Sequence, residues 1–142
     1  MYYICTCKNC LNFNNMTREQ KDLLLRDLCA RLAYFTKVEI NNEVVVLDSI
    51  CDDDGYHFNF IGDDRFGVNI EEIKPYLFPM SSMTKEQKKE YHNLCETILD
   101  DMGHPASFDT VDSLDYLYKN HIDIRGLIPM GLAIDATGLK VY

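Results

Sequence analysis

A chain of 142 residues, 46% hydrophobic and 26% charged, has the size and balance of one compact soluble domain. Its 23 Asp and Glu against 14 Lys and Arg leave a net charge of −9. That charge opposes direct binding to nucleic-acid phosphates and suits a protein partner with a basic surface. No apolar run approaches the roughly 20 residues needed to cross a bilayer, and the opening MYYICTCKNC has Lys8 as its sole cation, so neither a membrane span nor a secretory signal is expected. A protein that stays in the cytoplasm, with its cysteines reduced, is the expectation.

In chain order, the first feature is the C-x-C-x-x-C run of Cys5, Cys7 and Cys10. These are the candidate metal ligands, but a structural zinc site needs a fourth ligand and normally a second close pair, and none follows. No metal or other cofactor is therefore expected.

The hexapeptide MTREQK at Met16 returns as MTKEQK at Met83. In each copy a threonine stands three residues before a glutamine, the spacing of a helix capping box. Beyond these caps the two copies diverge, so the repetition is one start signal used twice. After the first, Leu24, Leu25, Leu28, Cys29 and Leu32 predict an amphipathic helix from Thr17 to about Ala33. The period then changes to two. Lys37 to Ile40, Val44 to Ile50, Tyr56 to Phe60 and Phe66 to Ile70 read as an antiparallel meander joined by short acidic turns.

In EEIKPYLFPMSS, Pro75 and Pro79 argue against a central strand, and the segment is expected to lie across an open edge of the core. The second cap leads into Tyr91, Leu94, Cys95, Ile98, Leu99 and Met102, which predict a helix ending at Gly103. A third helix is expected from about Ser107 to Asn120, and a last hairpin from Leu132–Asp135 and Leu139–Tyr142. The fold class is thus α+β, with an antiparallel sheet of about four to five strands packed with three helices. Residues 16–142 form the single domain, and residues 1–15 are an N-terminal extension outside its core.

Three constellations bear on chemistry. HIDIR places His121, Asp123 and Arg125 at alternating positions, where an extended backbone would turn a base, its carboxylate partner and an anion-binding group to one side. The other reading is that Asp123 and Arg125 fasten the loop to the sheet. No nucleophile accompanies them, and a non-enzymatic protein is expected. CDDDG fails the calcium-loop pattern and reads as a turn, while GDDRFG lacks the lysine and hydroxyl of a phosphate loop. The aspartates are the third: Asp52, Asp53, Asp54, Asp63 and Asp64 in the turns, and Asp109, Asp112 and Asp115 on the third helix, are the candidate partner-binding residues. Gathered on one face, they would mimic nucleic acid toward a basic groove.

The segments LLLRDLCARL (Leu23–Leu32), IEEIKPYLFPMSSMTKEQ (Ile70–Gln87) and DYLYKNHIDIRGLIPMGLAIDAT (Asp115–Thr137) resemble a family of small acidic proteins from phages, prophages and mobile elements of gut Bacteroidetes. No activity transfers with this likeness. Where the family pattern reads LPYGVKV, this chain has LAYFTKV, and Met16 stands where such proteins usually start. The resemblance implies an accessory protein that binds a host or defence-system protein, such as a CRISPR nuclease, and inhibits or redirects it. A small enzyme built on His121, Asp123 and Arg125, or a structural protein of the virion, are the alternatives.

Overall fold

A computed structural model describes residues 16–142. Helix α1 (Arg18–Ala30) begins with the expected capping box: the Thr17 hydroxyl accepts from the Gln20 amide at 3.1 Å, and the Gln20 side chain accepts from the Thr17 amide at 3.1 Å. The helix ends in a tight 3-10 turn, Leu32–Tyr34, and Phe35 takes φ +53°, a left-handed conformation that favours glycine. Strands β1 (Lys37–Ile40), β2 (Glu43–Asp52) and β3 (Tyr56–Phe60) form the expected antiparallel meander, with Asn41 and Asn42 both at positive φ in the β1–β2 turn.

The next expected strand, Phe66 to Ile70, does not form. The Arg65 amide and its Nε both donate to Asp63 Oδ1, at 3.0 and 2.8 Å, and Gly67 turns at φ +70°. These local bonds draw the chain away from the sheet, and Asn69 and Glu72 then cap a 3-10 turn, Ile70–Glu72. The chain next enters strand β4 (Lys74–Pro79), buried along Pro75, Tyr76 and Leu77 and lying inside the sheet rather than across its edge. The prolines are tolerated because they fall near the strand's ends. Pro75 pairs only with β1, opposite Val38, and the later residues take the remaining partners.

Helix α2 (Lys85–Leu94) repeats the capping box with Thr84 and Gln87. It stops eight residues short of the expected Met102, and Cys95 is already extended. The chain then makes a hairpin of β5 (Glu96–Leu99) and β6 (Pro105–Phe108). Thr97 and Ile98 are β-branched and weak in helices. Asp100 closes the turn, its Oδ1 accepting from the amides of Met102 and His104 at 2.9 and 2.8 Å, with Gly103 at φ +80°. Gly103 thus serves a hairpin turn, not a helix end. Helix α3 (Val111–Lys119) starts later than expected because β6 has used Pro105–Phe108 and Thr110 is its cap.

After α3 come β7 (Ile122–Asp123) and β8 (Ile134–Asp135), each parallel to β4; the final hairpin is not formed. Instead the Tyr142 hydroxyl donates to the Tyr76 carbonyl and accepts from the Lys37 amide, both at 3.0 Å. The main sheet has six strands in the order β3-β2-β1-β4-β7, with β8 also on β4, and is mixed rather than purely antiparallel. The class is α+β with three α-helices, as expected, and more strands.

Leu24 and Leu28 of α1 pack on Val38, Ile40, Leu47, Phe58, Phe60, Ile73 and Leu77 to form the main core. A second cluster joins Met83, Leu117 and Ile122, flanked by Phe78, Tyr91 and Tyr116, beneath α2 and α3. Among the described residues no helix is long and apolar enough to cross a membrane.

Candidate functional site

His121 follows α3 at φ +58°, and its main-chain carbonyl accepts from the Phe78 amide at 2.8 Å, joining β7 to β4. Two residues on, both oxygens of the buried Asp123 carboxylate are taken, accepting from the amides of Leu127 and Ile128 at 2.9 Å each. Arg125 is engaged elsewhere. Its Nε lies 3.5 Å from Asp27 Oδ1 and its Nη2 is 3.3 Å from the Tyr118 hydroxyl. The three residues therefore do not converge. A cleft of about 380 Å³ beside Phe78, Lys119 and Tyr142 includes His121 in its wall but neither Asp123 nor Arg125.

The His121 ring stacks on Tyr142, with centroids 3.8 Å apart and planes 13° from parallel. Burial, reinforced by the nearby charges of Arg31 and Lys37, lowers its pKa to about 4, so the ring is neutral near pH 7. Its Nδ1 is buried and has no hydrogen-bond partner among the described residues.

Beneath this loop lies an ion pair that no sequence motif had singled out. Asp27 and Arg31, one turn apart on α1, are both fully buried. Arg31 Nε and Nη2 donate to the Asp27 carboxylate at 2.7 and 3.1 Å, Nη2 also donates to the Ile122 carbonyl at 2.7 Å, and the guanidinium lies 5.0 Å from the Tyr118 ring centroid. The available signal was their spacing: Asp27 and Arg31 fall on the same stripe as Leu24 and Leu28, where unpaired charges would be costly. Asp27, Arg31, Asp123 and Arg125 balance in charge and tie α1 to the loop after α3.

The partner-binding candidates separate into three places. Asp52, Asp53 and Asp54 are exposed at the β2–β3 turn, and Asp54 takes φ +54°. Asp63 and Asp64 follow the opposite end of β3, about 14 Å away along a five-residue strand. Asp63 is already engaged, for Arg65 bonds to it and to Glu43, and hydrogen bonds from Arg65 hold the Asp63 carboxyl below its usual pKa. Asp109 accepts from the Tyr91 hydroxyl at 2.5 Å and the Ser113 hydroxyl at 3.1 Å, joining the end of α2 to the start of α3. Asp112 and Asp115 are exposed on α3, Asp115 close enough to Tyr34 to help raise the pKa of that phenol, after burial. Cys5, Cys7 and Cys10 lie outside the described residues. Among the described residues, no three His, Cys, Asp or Glu side chains gather closely enough to hold a metal.

The β5–β6 hairpin is exposed at every strand position. Register puts Ile98, Ala106 and Phe108 on one face with Glu96, and Leu99 with Pro105 on the other, beside Thr97 and Ser107. Ile98 is 50%, Leu99 63%, Phe108 51% and Met102, at the tip, 82% exposed. Around them the sequence from Glu90 to Tyr118 holds seven carboxylates and no Lys or Arg. Exposed apolar side chains in a stretch whose Asp and Glu have no Lys or Arg among them are a composition that protein-docking surfaces share. Comparison with known proteins adds no guide, since no family model fits the sequence and neither a curated protein nor a solved structure matches it.

Proposed function

We propose that this chain is a non-catalytic accessory protein of phages or mobile elements. It acts in the cytoplasm of a bacterial host, where it binds a host or defence-system protein with a basic surface and inhibits or redirects it. A CRISPR effector is the kind of target meant. The observation that carries the binding part is the segment from Glu90 to Tyr118, where exposed apolar side chains stand among seven carboxylates with no cationic side chain of Lys or Arg. Such a surface rewards a cationic protein twice, by steering its approach and by covering apolar area. The exposed Asp52, Asp53 and Asp54 extend the attraction at a distance. The biological setting rests on the family resemblance alone.

Capture from bacterial lysate at low and high salt tests the reading. A basic protein retained at low salt and released more readily at high salt is expected, because exposed charges are screened beyond about 8–10 Å in ordinary buffer. Replacing Asp52, Asp53 and Asp54 together by asparagine slows association with that protein at low ionic strength while leaving dissociation nearly unchanged. Retention of no protein at either salt concentration overturns the proposal.

A further inference from the structure

The outer edge of β5 has unused main-chain hydrogen-bonding groups. Leu99 stands opposite Pro105, which has no N–H, so this is not a pair that exchanges two hydrogen bonds. The neighbouring pair does bond, the Asp100 amide donating to the His104 carbonyl at 2.9 Å. Alternation along an antiparallel ladder then turns the amides and carbonyls of Thr97 and Leu99 away from β6. Neither amide has a partner outside the hairpin among the described residues. The outer edge of β6 is the poorer template, since Pro105 removes a donor from it.

An isolated two-stranded hairpin is marginal in water. This one is held at its base, where the Thr110 hydroxyl donates to the Leu94 carbonyl at 2.7 Å, and at its tip by Asp100. It is therefore presented as a fixed edge with little of its own surface covered.

We infer that β5 is a strand-addition site. It takes an extended segment of a partner protein with apolar side chains at alternate positions and lysine or arginine between them. The inference rests on the protein-binding reading and specifies its mode. Main-chain bonds to Thr97 and Leu99 supply the attachment, Leu99 offers apolar contact on one face, and Glu96 and Asp100, on the face they share with Ile98, select for cations. A second copy of this chain fits poorly. Two β5 strands paired antiparallel about Ile98 would set Glu96 of each against Asp100 of the other, and like charges directly opposed are destabilising.

The test is residue-resolved amide exchange on the full chain, with and without a synthetic peptide of alternating valine and lysine. A valine–glutamate peptide is the control. The valine–lysine peptide is expected to slow exchange at Thr97 and Leu99 by roughly tenfold or more, and the control to leave both unchanged. Thr97→Pro removes an outward N–H without breaking a β5–β6 bond, and abolishes the slowing. Should that variant disturb the hairpin, Glu96→Lys leaves the ladder intact and weakens the response to the valine–lysine peptide.

Several results overturn the site. Protection of both amides without peptide that rises with protein concentration assigns the edge to a second copy. Protection independent of concentration assigns it to the chain's own residues 1–15. Equal slowing by both peptides removes the charge selection. No slowing at millimolar peptide, with a partner still captured from lysate, removes strand addition and leaves protein binding standing. Loss of both removes the two together.

Discussion

The segment just before α3 and the segment just after it make opposite use of similar side chains. After α3, charge is turned inward: Asp123 is consumed by two amides, and Arg125 joins the buried Asp27–Arg31 pair. Before α3, carboxylates and apolar side chains both face solvent on the β5–β6 hairpin. The lesson is that charge alone does not mark a binding site. The inward set costs desolvation that only its own partners offset, so it is committed to the fold. In the outward set Asp100 and Asp109 still serve the fold, at the hairpin turn and between α2 and α3, but Glu96, Ile98, Leu99 and Met102 stay exposed to solvent.

Breaking the inward set should have the largest effect. Arg31→Leu leaves Asp27 buried without its main partner and is expected to cost about 3–5 kcal/mol in urea unfolding. Adding Asp27→Leu should recover much of that loss, because the orphaned charge goes with it. A single-variant cost near zero would mean that water reaches the pair and that the two segments are alike in their commitment to the fold. Next in size is the pH response of His121. Its folded pKa, about 4, is below the ordinary histidine value of 6.5, so the native state binds fewer protons than the unfolded state between those values. Its contribution is complete above about pH 6.5 and is lost as pH falls toward 4, an effect on the order of 2–3 kcal/mol. His121→Asn keeps a residue that tolerates positive φ and removes the titration. The stability–pH curves of parent and variant should differ in slope across that window, and parallel curves would remove the buried-imidazole account.

Much of this architecture was legible where the signal was local. Thr17–Gln20 and Thr84–Gln87 specify their caps through neighbours three residues apart, and the meander from Lys37 to Phe60 is written in its alternation. Misreadings arose where two periods fit the same residues. Leu94, Cys95, Ile98, Leu99 and Met102 suit a helical stripe, yet β-branched Thr97 and Ile98 and the side-chain bonds of Asp100 favour a hairpin. Pro75 and Pro79 argue against a strand only if both neighbours need their amides, and sequence does not say which neighbours exist. The parallel partners β7 and β8 come from residues more than 40 positions beyond β4, a distance over which no local pattern operates. The site followed the same rule. The aspartates could be read as a set, but their division among three places depends on the tertiary fold.

The smallest expected effect on stability sharpens the contrast most. Met102 is 82% exposed at the hairpin tip, and no buried core cluster includes its side chain. Met102→Ser should therefore change the unfolding free energy by no more than about 0.5 kcal/mol. If the hairpin is a docking element, the same substitution should nevertheless weaken retention of the captured partner. An exposed side chain near an interface centre can matter to binding while mattering little to folding. A variant that loses stability instead would mean that the tip packs within this chain. The outward set would then be doing the same job as the inward one, and the distinction between the two segments would fail at its most exposed residue.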